Sequence, residues 1–469
     1  MRPFPQLRGS EHRILNWLDS CCTSAAHIHQ IQAQLILQSL HSNTTIAHRF
    51  IAACKPLGLL PSALLLFTQL RKPHVFICNS LIRAFSHSHS PHDSVFVYAH
   101  MHKNSILPNN FTFPFLLKSL SELKDLRQGQ CVHTHITKLG HLNDIYVQNS
   151  LLSIYASCGC MGSCHQAFNE MPQKDVVSWT VLIAGNRSAG RHDDALIAFE
   201  QMQYAGVVPN RVTMVNALST CSKCGALEMG VWIHDFIRRS GWELDVILGT
   251  SLVNMYGNCG RIEEGMDVFK NMKEKNVFTW NALIKGLALA KSGNEAVRWF
   301  SRMEHEGIEA DEVTFLGVLC ACSHSGLVQM GRRIFSSLIV GKYGFLPNFK
   351  HYACMIDLLV RAGRLQEAFI IITKLPFEPT KAMWGAFVAG SRTHGELELS
   401  EFATRKLVEL EPENGAHYVL LSNLYAEMGR RSDVESMKRL MKETEMKKDQ
   451  GCGAIEFEYE RNVYELLAA

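Results

Sequence analysis

The chain has 469 residues, of which 47% are hydrophobic and 19% are charged, proportions that are normal for a folded soluble protein. Its formal net charge is only +3, which excludes polyanion binding by the field of the whole chain and requires a local patch instead. No apolar run reaches the length of a membrane span, so membrane insertion is not expected. The 15 cysteines show no secreted disulfide pattern and are predicted to be buried, reduced thiols.

The N-terminal stretch MRPFPQLRGSEHRIL is basic, with Arg2, Arg8 and Arg13 against Glu11. It lacks the long apolar core of a secretory signal. A short organellar presequence and an unstructured lead into the first repeat remain equally open.

A unit of 101 residues recurs along the chain. VFICNSLI begins at Val75, VVSWTVLI at Val176 and VFTWNALI at Val277, so each start lies 101 residues after the previous one. The central unit divides into segments of 35, 35 and 31 residues, which are 176–210, 211–245 and 246–276. Because a repeat array grows by addition and has no single core, this recurrence indicates a solenoid.

Each segment is predicted to form two helices. In the segment 176–210, Trp179, Leu182 and Ile183 have the spacing of one helical stripe. Gly190 can end that helix in the left-handed conformation, and Asp193 is expected to cap a second helix. The apolar face of the second helix is Ala195, Leu196, Phe199 and Met202. Since one pair of short helices cannot bury such a face, stacked copies are needed, and the predicted fold is an all-α solenoid.

The same pattern divides residues 11–380 into about eleven motifs, preceded by a short lead or presequence remnant at residues 1–10. The motifs are 11–43, 44–74, 75–109, 110–144, 145–175, 176–210, 211–245, 246–276, 277–311, 312–348 and 349–380.

The pattern changes after Thr380. Residues 381–449 are predicted to form two further helical hairpins, and the stretch ELEPENGAHYVLLSNLYAEMGR resembles a tetratricopeptide hairpin, which is a protein-binding repeat. Residues 450–469 alternate apolar and polar side chains at Ile455, Phe457 and Tyr459, which is compatible with a small strand.

This arrangement closely resembles the plant pentatricopeptide-repeat (PPR) proteins of the class that alternates canonical (P), long (L) and short (S) motifs. The resemblance rests on the starts WNALI, WTVLI and CNSLI, on closing P-N or A-D pairs, and on HYACMIDLLVRAGRLQEA. It implies a right-handed superhelix of stacked helix-turn-helix repeats. Residues 381–449 are similar to the paired E motifs of that class, and 450–469 to a truncated E+ segment.

The resemblance implies that the fifth and the last residue of a motif together read one base of single-stranded RNA. Asn offers two donors and an acceptor, Thr one hydroxyl and Asp acceptors only, so a mismatched base would leave a group unpaired at about 1–3 kcal/mol. By the pairing rules of the family, Asn–Asn favours cytidine, Asn–Asp uridine and Thr–Asn adenosine. The pairs in this chain are Asn79/Asn109, Asn149/Asp175, Thr180/Asn210, Thr250/Asn276 and Asn281/Asp311.

The second residue of a reading motif is expected to sandwich the bases, and an aromatic residue there could stack for about 1–3 kcal/mol. These residues are Phe76, Tyr146, Val177, Ile247 and Phe278. The plain alternative is that Asn or Thr at a helix start is a cap and that Asn or Asp after proline is a turn residue. Because five motifs carry polar residues at both the fifth and the last position, base reading is favoured over capping and turn formation alone.

Other motifs depart from this pattern. The long motifs carry Pro114, Val215 and Leu316 at the fifth position, where the side chain cannot hydrogen-bond a base edge. The motif 44–74 has His48 and His74 at the two positions, and the motif 349–380 has Ala353 and Thr380.

No enzymatic activity, metal or cofactor is expected. The zinc deaminase domain of some family members needs His-x-Glu followed by Cys-x-x-Cys. The chain has the two pieces in the opposite order, as Cys221 and Cys224 followed by His394 and Glu396. No phosphate-binding loop, dinucleotide loop or nucleophile elbow is present in the sequence either.

The leading hypothesis is a sequence-specific binder of single-stranded organellar RNA that recognises sites of C-to-U editing and recruits a DYW-type deaminase, or another editing factor, through the E motifs. A second hypothesis is a factor for stabilisation, splicing or translation of organellar RNA. A third is a purely protein-binding helical scaffold. The resemblance implies an organelle, the mitochondrion being preferred and the chloroplast the alternative.

Overall fold

The computed structural model describes residues 9–20, 24–38, 40, 43–70 and 73–443. Within these ranges the regular structure consists of 26 α-helices and no strand, which confirms the all-α solenoid fold. The E+ segment 450–469, with its suggested strand, and most of the lead 1–10 lie outside the described residues. The chain divides into two compact units, residues 1–220 and 221–469.

The first unit contains helices α1 to α12 and most of α13. Their bounds are α1 Gly9–Ser20, α2 Ala25–Leu37, α3 Thr44–Cys54, α4 Leu60–Thr68, α5 Val75–Phe85, α6 His92–Lys103, α7 Phe113–Leu123, α8 Leu126–Lys138, α9 Ile145–Ser157, α10 Met161–Glu170, α11 Val176–Ser188, α12 His192–Tyr204 and α13 Arg211–Cys224.

The second unit begins inside α13 and contains the helices that follow it. Their bounds are α14 Leu227–Arg239, α15 Val246–Asn258, α16 Ile262–Asn271, α17 Val277–Leu289, α18 Gly293–His305, α19 Glu312–His324, α20 Val328–Ile339, α21 Phe349–Arg361, α22 Leu365–Thr373, α23 Lys381–Thr393, α24 Leu397–Leu410, α25 Gly415–Glu427 and α26 Arg431–Glu443.

The hairpin α11–α12 shows how the sequence forms one repeat. The stripe Trp179, Leu182 and Ile183 is buried, as predicted. Gly190 has φ 72°, and its N–H donates to the carbonyl of Arg187 while the N–H of Arg191 donates to that of Asn186. These two bonds form a Schellman turn, in which glycine supplies the left-handed residue.

The predicted cap of the second helix is wrong. The helix α12 begins at His192, with Arg191 in the cap position and no side-chain cap bond. The Schellman turn places the second helix directly after Arg191, so Asp193 falls in its first turn. There its negative charge favours the positive end of the helix dipole.

The first helix of each hairpin from α5 to α23 begins at a residue where the sequence pattern starts a motif, with one exception. In the motif 110–144 the helix α7 begins at Phe113, so Pro114 stands in its first turn. A helix from Asn110 would place this proline fifth, where its missing N–H and its ring disfavour the first i to i−4 bond.

The first helices of successive hairpins pack side by side: α7, α9 and α11 in the first unit, and α15, α17, α19, α21 and α23 in the second. In the second unit Trp280 of α17 is fully buried, with its ring 4.8 Å from that of Phe269. Gly257 and Gly286 let α15 and α17 approach closely, because a Cβ on Gly257 would lie 2.9 Å from the Cα of Gly286.

The two C-terminal hairpins are joined by polar contacts. Glu411, after α24, accepts hydrogen bonds from Lys381 at 2.8 Å and from His417 at 2.9 Å. The hydrogen bond from Lys381 is the main cause that lowers the pKa of Glu411 to about 2. The guanidinium of Arg430, between α25 and α26, donates to Glu401 of α24 at 2.8 Å.

Among the described residues 12 cysteines are free thiols, of which seven are buried. In the described part of the chain, no helix combines the length and the apolar character that a membrane span requires.

Candidate nucleic-acid interface

Each predicted reading pair joins the first helices of two neighbouring motifs. The fifth residue lies in the second turn of one helix, and the last residue directly precedes the next helix in every pair except Asn79/Asn109, since α7 begins only at Phe113. Asp175, Asn276 and Asp311 are N-caps of α11, α17 and α19. The plain alternative therefore holds for these three last residues, which are caps. It does not hold for Asn109, since Thr112 is the cap residue of α7, or for the fifth residues, which lie inside their helices.

The three pairs that have Asn at the fifth position meet directly. The side-chain Nδ2 of the fifth residue donates to the Oδ1 of the last residue, although the two lie 26 to 30 residues apart in sequence. The distances are 3.0 Å for Asn79–Asn109, 3.2 Å for Asn149–Asp175 and 2.9 Å for Asn281–Asp311. The structure thus brings together both members of each of these pairs.

The two pairs that have Thr at the fifth position meet through a third residue. The hydroxyl of Thr180 lies 2.7 Å from that of Thr213, which in turn donates to Asn210 Oδ1 at 3.0 Å. In the second unit the hydroxyl of Thr250 lies 2.8 Å from that of Thr279, which donates to Asn276 Oδ1 at 3.1 Å. A shorter fifth side chain is thus linked to its partner by a bridging hydroxyl.

The bridging residue is the third residue of the following motif, and it also serves two of the Asn pairs. Thr112 donates to Asn79 Oδ1 at 2.7 Å, and Thr314 donates to Asn281 Oδ1 at 2.6 Å. This position was not among the predicted reading residues. A signal was present, since all five motifs that follow a reading pair carry Thr or Ser there.

The pair Asn149/Asp175 differs from the others. The third residue after it is Ser178, whose hydroxyl donates to the backbone carbonyl of Asp175 at 2.8 Å. The Oδ1 of Asn149 is buried and has no hydrogen-bond partner among the described residues.

The second residues of the reading motifs are apolar side chains exposed to solvent. Exposed apolar surface is unfavourable in water and commonly marks an interaction site. Their exposed fractions are 56% for Phe76, 73% for Tyr146, 45% for Val177, 68% for Ile247 and 66% for Phe278. Positions two and five are three residues apart, so in a helix they share one face. An apolar surface therefore lies beside each polar pair, as the contact with a flat base requires.

The long motifs have the same exposed apolar residue at position two but a different polar contact. The sequence analysis missed these exposed residues, which are Phe111, Val212 and Val313. In the motif 110–144 the first residue, Asn110, donates to the last, Asp144, at 3.0 Å. In the motif 312–348 the last residue, Asn348, donates to the first, Glu312, at 2.6 Å. The last residue of these two motifs is thus paired without the fifth.

The motifs 44–74 and 349–380 also depart from the reading pattern, and the last residue of each caps the helix that follows. His74 is the N-cap of α5, and its Nδ1 accepts the N–H of Phe76 at 3.2 Å, while the ring of His48 lies 4.8 Å from that of Phe76. Thr380 is the N-cap of α23.

Positive charge lies next to two of the pairs. Arg83 and Lys285 follow Asn79 and Asn281 by four residues, which places them on the same helix face. Burial lowers the pKa of Lys285, and the charge of Lys223 lowers it further. A phosphate close to this ammonium would oppose both effects, because a nearby anion favours the charged form.

The pieces that suggested a metal do not assemble. Cys221 is buried, Cys224 is exposed, and burial raises the pKa of the Cys221 thiol to about 12, which disfavours the thiolate that binds metal. The described residues contain no group of three or more His, Cys, Asp or Glu side chains that could hold a metal ion.

Comparison with known proteins identifies the repeats. The family described as PPR repeat matches residues 149–176, 177–207, 250–277 and 351–375, the PPR repeat family 275–324, and the Pentatricopeptide repeat domain 71–122. The Arabidopsis thaliana pentatricopeptide repeat-containing protein At5g56310 is 35% identical, over 94% of this chain and 89% of that protein. The chain belongs to the pentatricopeptide repeat family.

Further similarities agree with this assignment. The mitochondrial PPR protein At2g22410 and the chloroplastic PPR protein At2g02980 of Arabidopsis are 35% and 34% identical, covering 91% and 94% of this chain and 66% and 73% of those proteins. The crystal structure of the PPR protein PPR10 from maize has a TM-score of 0.53 at 17% identity, and covers 96% of this chain and 73% of that chain.

The C-terminal part of the chain contains a motif that is typical of one PPR subgroup. The E motif matches residues 394–456, which overlap the predicted paired E motifs and include α24, α25 and α26. With the alternation of repeat lengths, this places the protein among the PPR proteins that combine P, L and S motifs with an E motif.

Proposed function

We propose that this PPR protein binds single-stranded RNA of a plant organelle in a sequence-specific way and selects cytidines for conversion to uridine. The observation that carries the proposal is the set of five polar pairs. Each pair is brought into one hydrogen-bond network across 26 to 30 residues of sequence, beside an exposed apolar side chain.

The chemistry of the pairs suits a base edge. In the pair Asn281/Asp311, one N–H of the amide is used by the carboxylate, which leaves the other N–H and a lone pair of Oδ1 for a ligand. Exposed Phe278, on the same helix face, supplies a surface on which a base can stack. A base that fails to match would lose about 1–3 kcal/mol.

Solved and curated relatives support RNA and an organelle. The maize PPR10 structure in complex with an 18-nt psaJ RNA element has a TM-score of 0.51 to this chain, at 17% identity and with coverage of 97% of this chain and 74% of that chain. Two relatives carry the words mitochondrial and chloroplastic in their names. We place the protein in the mitochondrion, with the chloroplast as the alternative.

The E motif supports the editing role. In this sequence His394 and Glu396 follow Cys221 and Cys224, the reverse of the deaminase order. We propose that a deaminase of the DYW type acts as a separate partner protein and is recruited through residues 381–449.

Selection of RNA ligands from a random pool tests the reading. Skipping the long motifs, the pairs from Asn79 to Asp311 specify 5′-C-n-U-A-n-A-U-3′. Bound RNA is expected to share this pattern, and its affinity is expected to fall as salt rises, because RNA phosphates release counterions on binding. Selected RNAs without a central uridine–adenosine step would contradict the proposed alignment of motifs with bases. Binding without any base preference would contradict the reading role of the five pairs.

The second candidate function is RNA binding without editing, in the stabilisation, splicing or translation of an organellar transcript. The maize PPR10 complex with RNA is compatible with this function as well. Sequencing of organellar transcripts from plants with and without this chain separates the two functions. Loss of editing at a cytidine four nucleotides beyond the base aligned with motif 349–380 supports editing. Unchanged editing with altered transcript ends or introns supports the second function. A purely protein-binding scaffold would bind no RNA from the random pool.

A further inference from the structure

The third residue of the motif after each reading pair carries a buried hydroxyl. These residues are Thr112, Ser178, Thr213, Thr279 and Thr314, and each has 0% of its surface exposed. After the other motifs between residues 44 and 380, whose fifth residue is His, Pro, Val, Leu or Ala, the same position is apolar in four cases and histidine in one: Ile77, Val147, Leu248, Met383 and His351. Among these motifs the hydroxyl thus occurs only where the fifth residue is Asn or Thr.

The hydrogen bonds fix the direction in which the threonine hydroxyls act. The backbone N–H of Asp311 donates to Thr314 Oγ1 at 3.1 Å, and that of Asn109 donates to Thr112 Oγ1 at 3.0 Å. The threonine proton has two acceptors within reach, because Thr314 Oγ1 lies 2.6 Å from Asn281 Oδ1 and 2.8 Å from Asp311 Oδ1. We assign the proton to the shorter contact, which is the one to Oδ1 of the fifth residue. This donation holds the amide oxygen on one side while the last residue holds the amide nitrogen on the other.

The two Asn–Asp pairs differ in the bonds of the carboxylate and of the third residue. Asn149 Nδ2 lies 3.2 and 3.3 Å from the two oxygens of Asp175, whereas Asn281 Nδ2 donates to one oxygen of Asp311 at 2.9 Å. At Asn281 the threonine hydroxyl donates to Oδ1 at 2.6 Å. At Asn149 the serine hydroxyl is turned to the carbonyl of Asp175, and Oδ1 is buried without a partner among the described residues. The Ser178 hydroxyl thus bonds the backbone of its own cap residue and not the fifth residue of the preceding motif.

We propose that this third residue is a positioning residue for base recognition. Thr314 orients the Asn281 amide so that its free N–H and lone pair face a pyrimidine edge in a fixed arrangement. Ser178 does not bond the Asn149 amide, which Asp175 holds at its nitrogen, while its oxygen has no partner among the described residues. The motif 145–175 therefore discriminates less strongly between uridine and cytidine than the motif 277–311. The inference rests on the proposed function, because it concerns how strongly the same RNA bases are distinguished.

Two substitutions in the full chain test the proposal in opposite directions. The measured quantity is the ratio of the dissociation constants for RNAs that carry cytidine or uridine at one position. Thr314→Val removes the hydroxyl and is expected to lower this ratio about fivefold at its own motif. Ser178→Thr introduces the residue type that bonds the fifth Asn in the two other Asn pairs, and it is expected to raise the ratio by a similar factor at the motif 145–175.

Thr404→Val is the matched control, since Thr404 is fully buried and its hydroxyl donates to the carbonyl of Ser400, in the C-terminal hairpins. It is expected to change neither ratio. Equal losses of discrimination at all motifs, or in the control, would overturn positioning in favour of general destabilisation. If Thr314→Val fails to fold, Ser178→Thr decides by itself.

The possible results distinguish failure of the positioning role from failure of the proposed function. A parent protein that prefers uridine at both positions, with variants that keep its ratios, overturns the positioning role and leaves the proposed function intact. A parent protein without base preference at either position overturns the proposed function and this inference with it.

Discussion

At the scale of the residue, the last residue of a reading motif serves two purposes. Asp311 caps α19 through the N–H of Thr314 and also accepts the amide of Asn281. A loss of about 1 kcal/mol is usual when such a cap is replaced by alanine. Substitution of a last residue thus combines loss of stability with loss of recognition, whereas substitution of a fifth residue isolates recognition.

Thr180→Asn tests a fifth residue. The new amide would meet the hydroxyl of Thr213 and the side chain of Asn210 as Asn79 meets Thr112 and Asn109. The preference of the motif 176–210 is expected to change from adenosine to cytidine, with about 1–3 kcal/mol between the bases. Competition binding with four RNAs that differ at this base measures the change.

The RNA position read by Asn79 and Asn109 is the internal control for Thr180→Asn, and its ranking should stay that of the parent. An unchanged ranking at the substituted position would mean that Thr180 serves only the packing of α11.

At the scale of the element, glycines set how closely the first helices approach. Gly257→Ala would place a Cβ 2.9 Å from the Cα of Gly286, so α15 and α17 must move apart. Overpacking of this kind costs about 1–3 kcal/mol, and the free energy of unfolding should fall by that amount. Denaturant unfolding with circular dichroism measures it.

Gly385→Ala in α23 is the control for Gly257→Ala, because a Cβ there meets no atom within 4 Å. It should leave stability equal or raise it by about 0.5–1 kcal/mol, the helix preference of alanine. Equal effects of the two substitutions would show that helix propensity, and not the close approach, decides.

The C-terminal hairpins should lose stability in acid. The hydrogen bond from Lys381 lowers the pKa of Glu411 to about 2 from an ordinary value of 4.5, so the carboxylate is stabilising above pH 4.5. That contribution disappears as the pH falls from 4.5 to about 2. Glu411→Gln is expected to lower the melting temperature at pH 7 by about 2–4 °C, with a smaller difference at pH 3.

Glu409→Gln is the comparison for Glu411→Gln, since Glu409 is exposed and has only a surface ion pair with Lys406. Such pairs contribute little. If the difference in melting temperature between the parent and Glu411→Gln stays constant from pH 7 to pH 3, ionisation of Glu411 does not stabilise the hairpins.

At the scale of the whole molecule, the C-terminal hairpins combine two possible roles. Phe369 of α22 lies 6.0 Å from Phe387 of α23 and 5.2 Å from Phe402 of α24. The hairpin α23–α24 therefore covers the apolar end of the preceding repeat, as a terminal cap does. Removal of all residues after Thr380 would test capping and recruitment at the same time.

Two truncations separate these roles. A chain cut after Asn414 keeps α23 and α24, so it should stay folded and bind RNA within about twofold of the parent. If α25 and α26 contribute to deaminase recruitment, this chain should fail to restore editing in plants that lack the protein. A chain cut after Thr380 should in addition melt earlier. Normal editing by the chain cut after Asn414 would contradict recruitment through the last hairpin.

The sequence by itself determined the repeat and its register. The 101-residue recurrence, the stripe at Trp179, Leu182 and Ile183, and the turn at Gly190 predicted the helical hairpins, because helix periodicity and turn chemistry depend on residues a few positions apart. Capping depends on local detail as well, yet the cap at Asp193 was predicted wrongly, since the Schellman turn sets where the chain re-enters a helix.

Only the tertiary structure decided which polar groups meet. Thr112 bonds Asn79 across 33 residues, whereas Ser178, at the equivalent place, bonds its own cap residue three positions away. Both residues carry a hydroxyl, so composition and spacing do not distinguish them. The difference arises because a hydrogen bond depends on distance and on the rotamer of each side chain, and both are set when neighbouring helices pack.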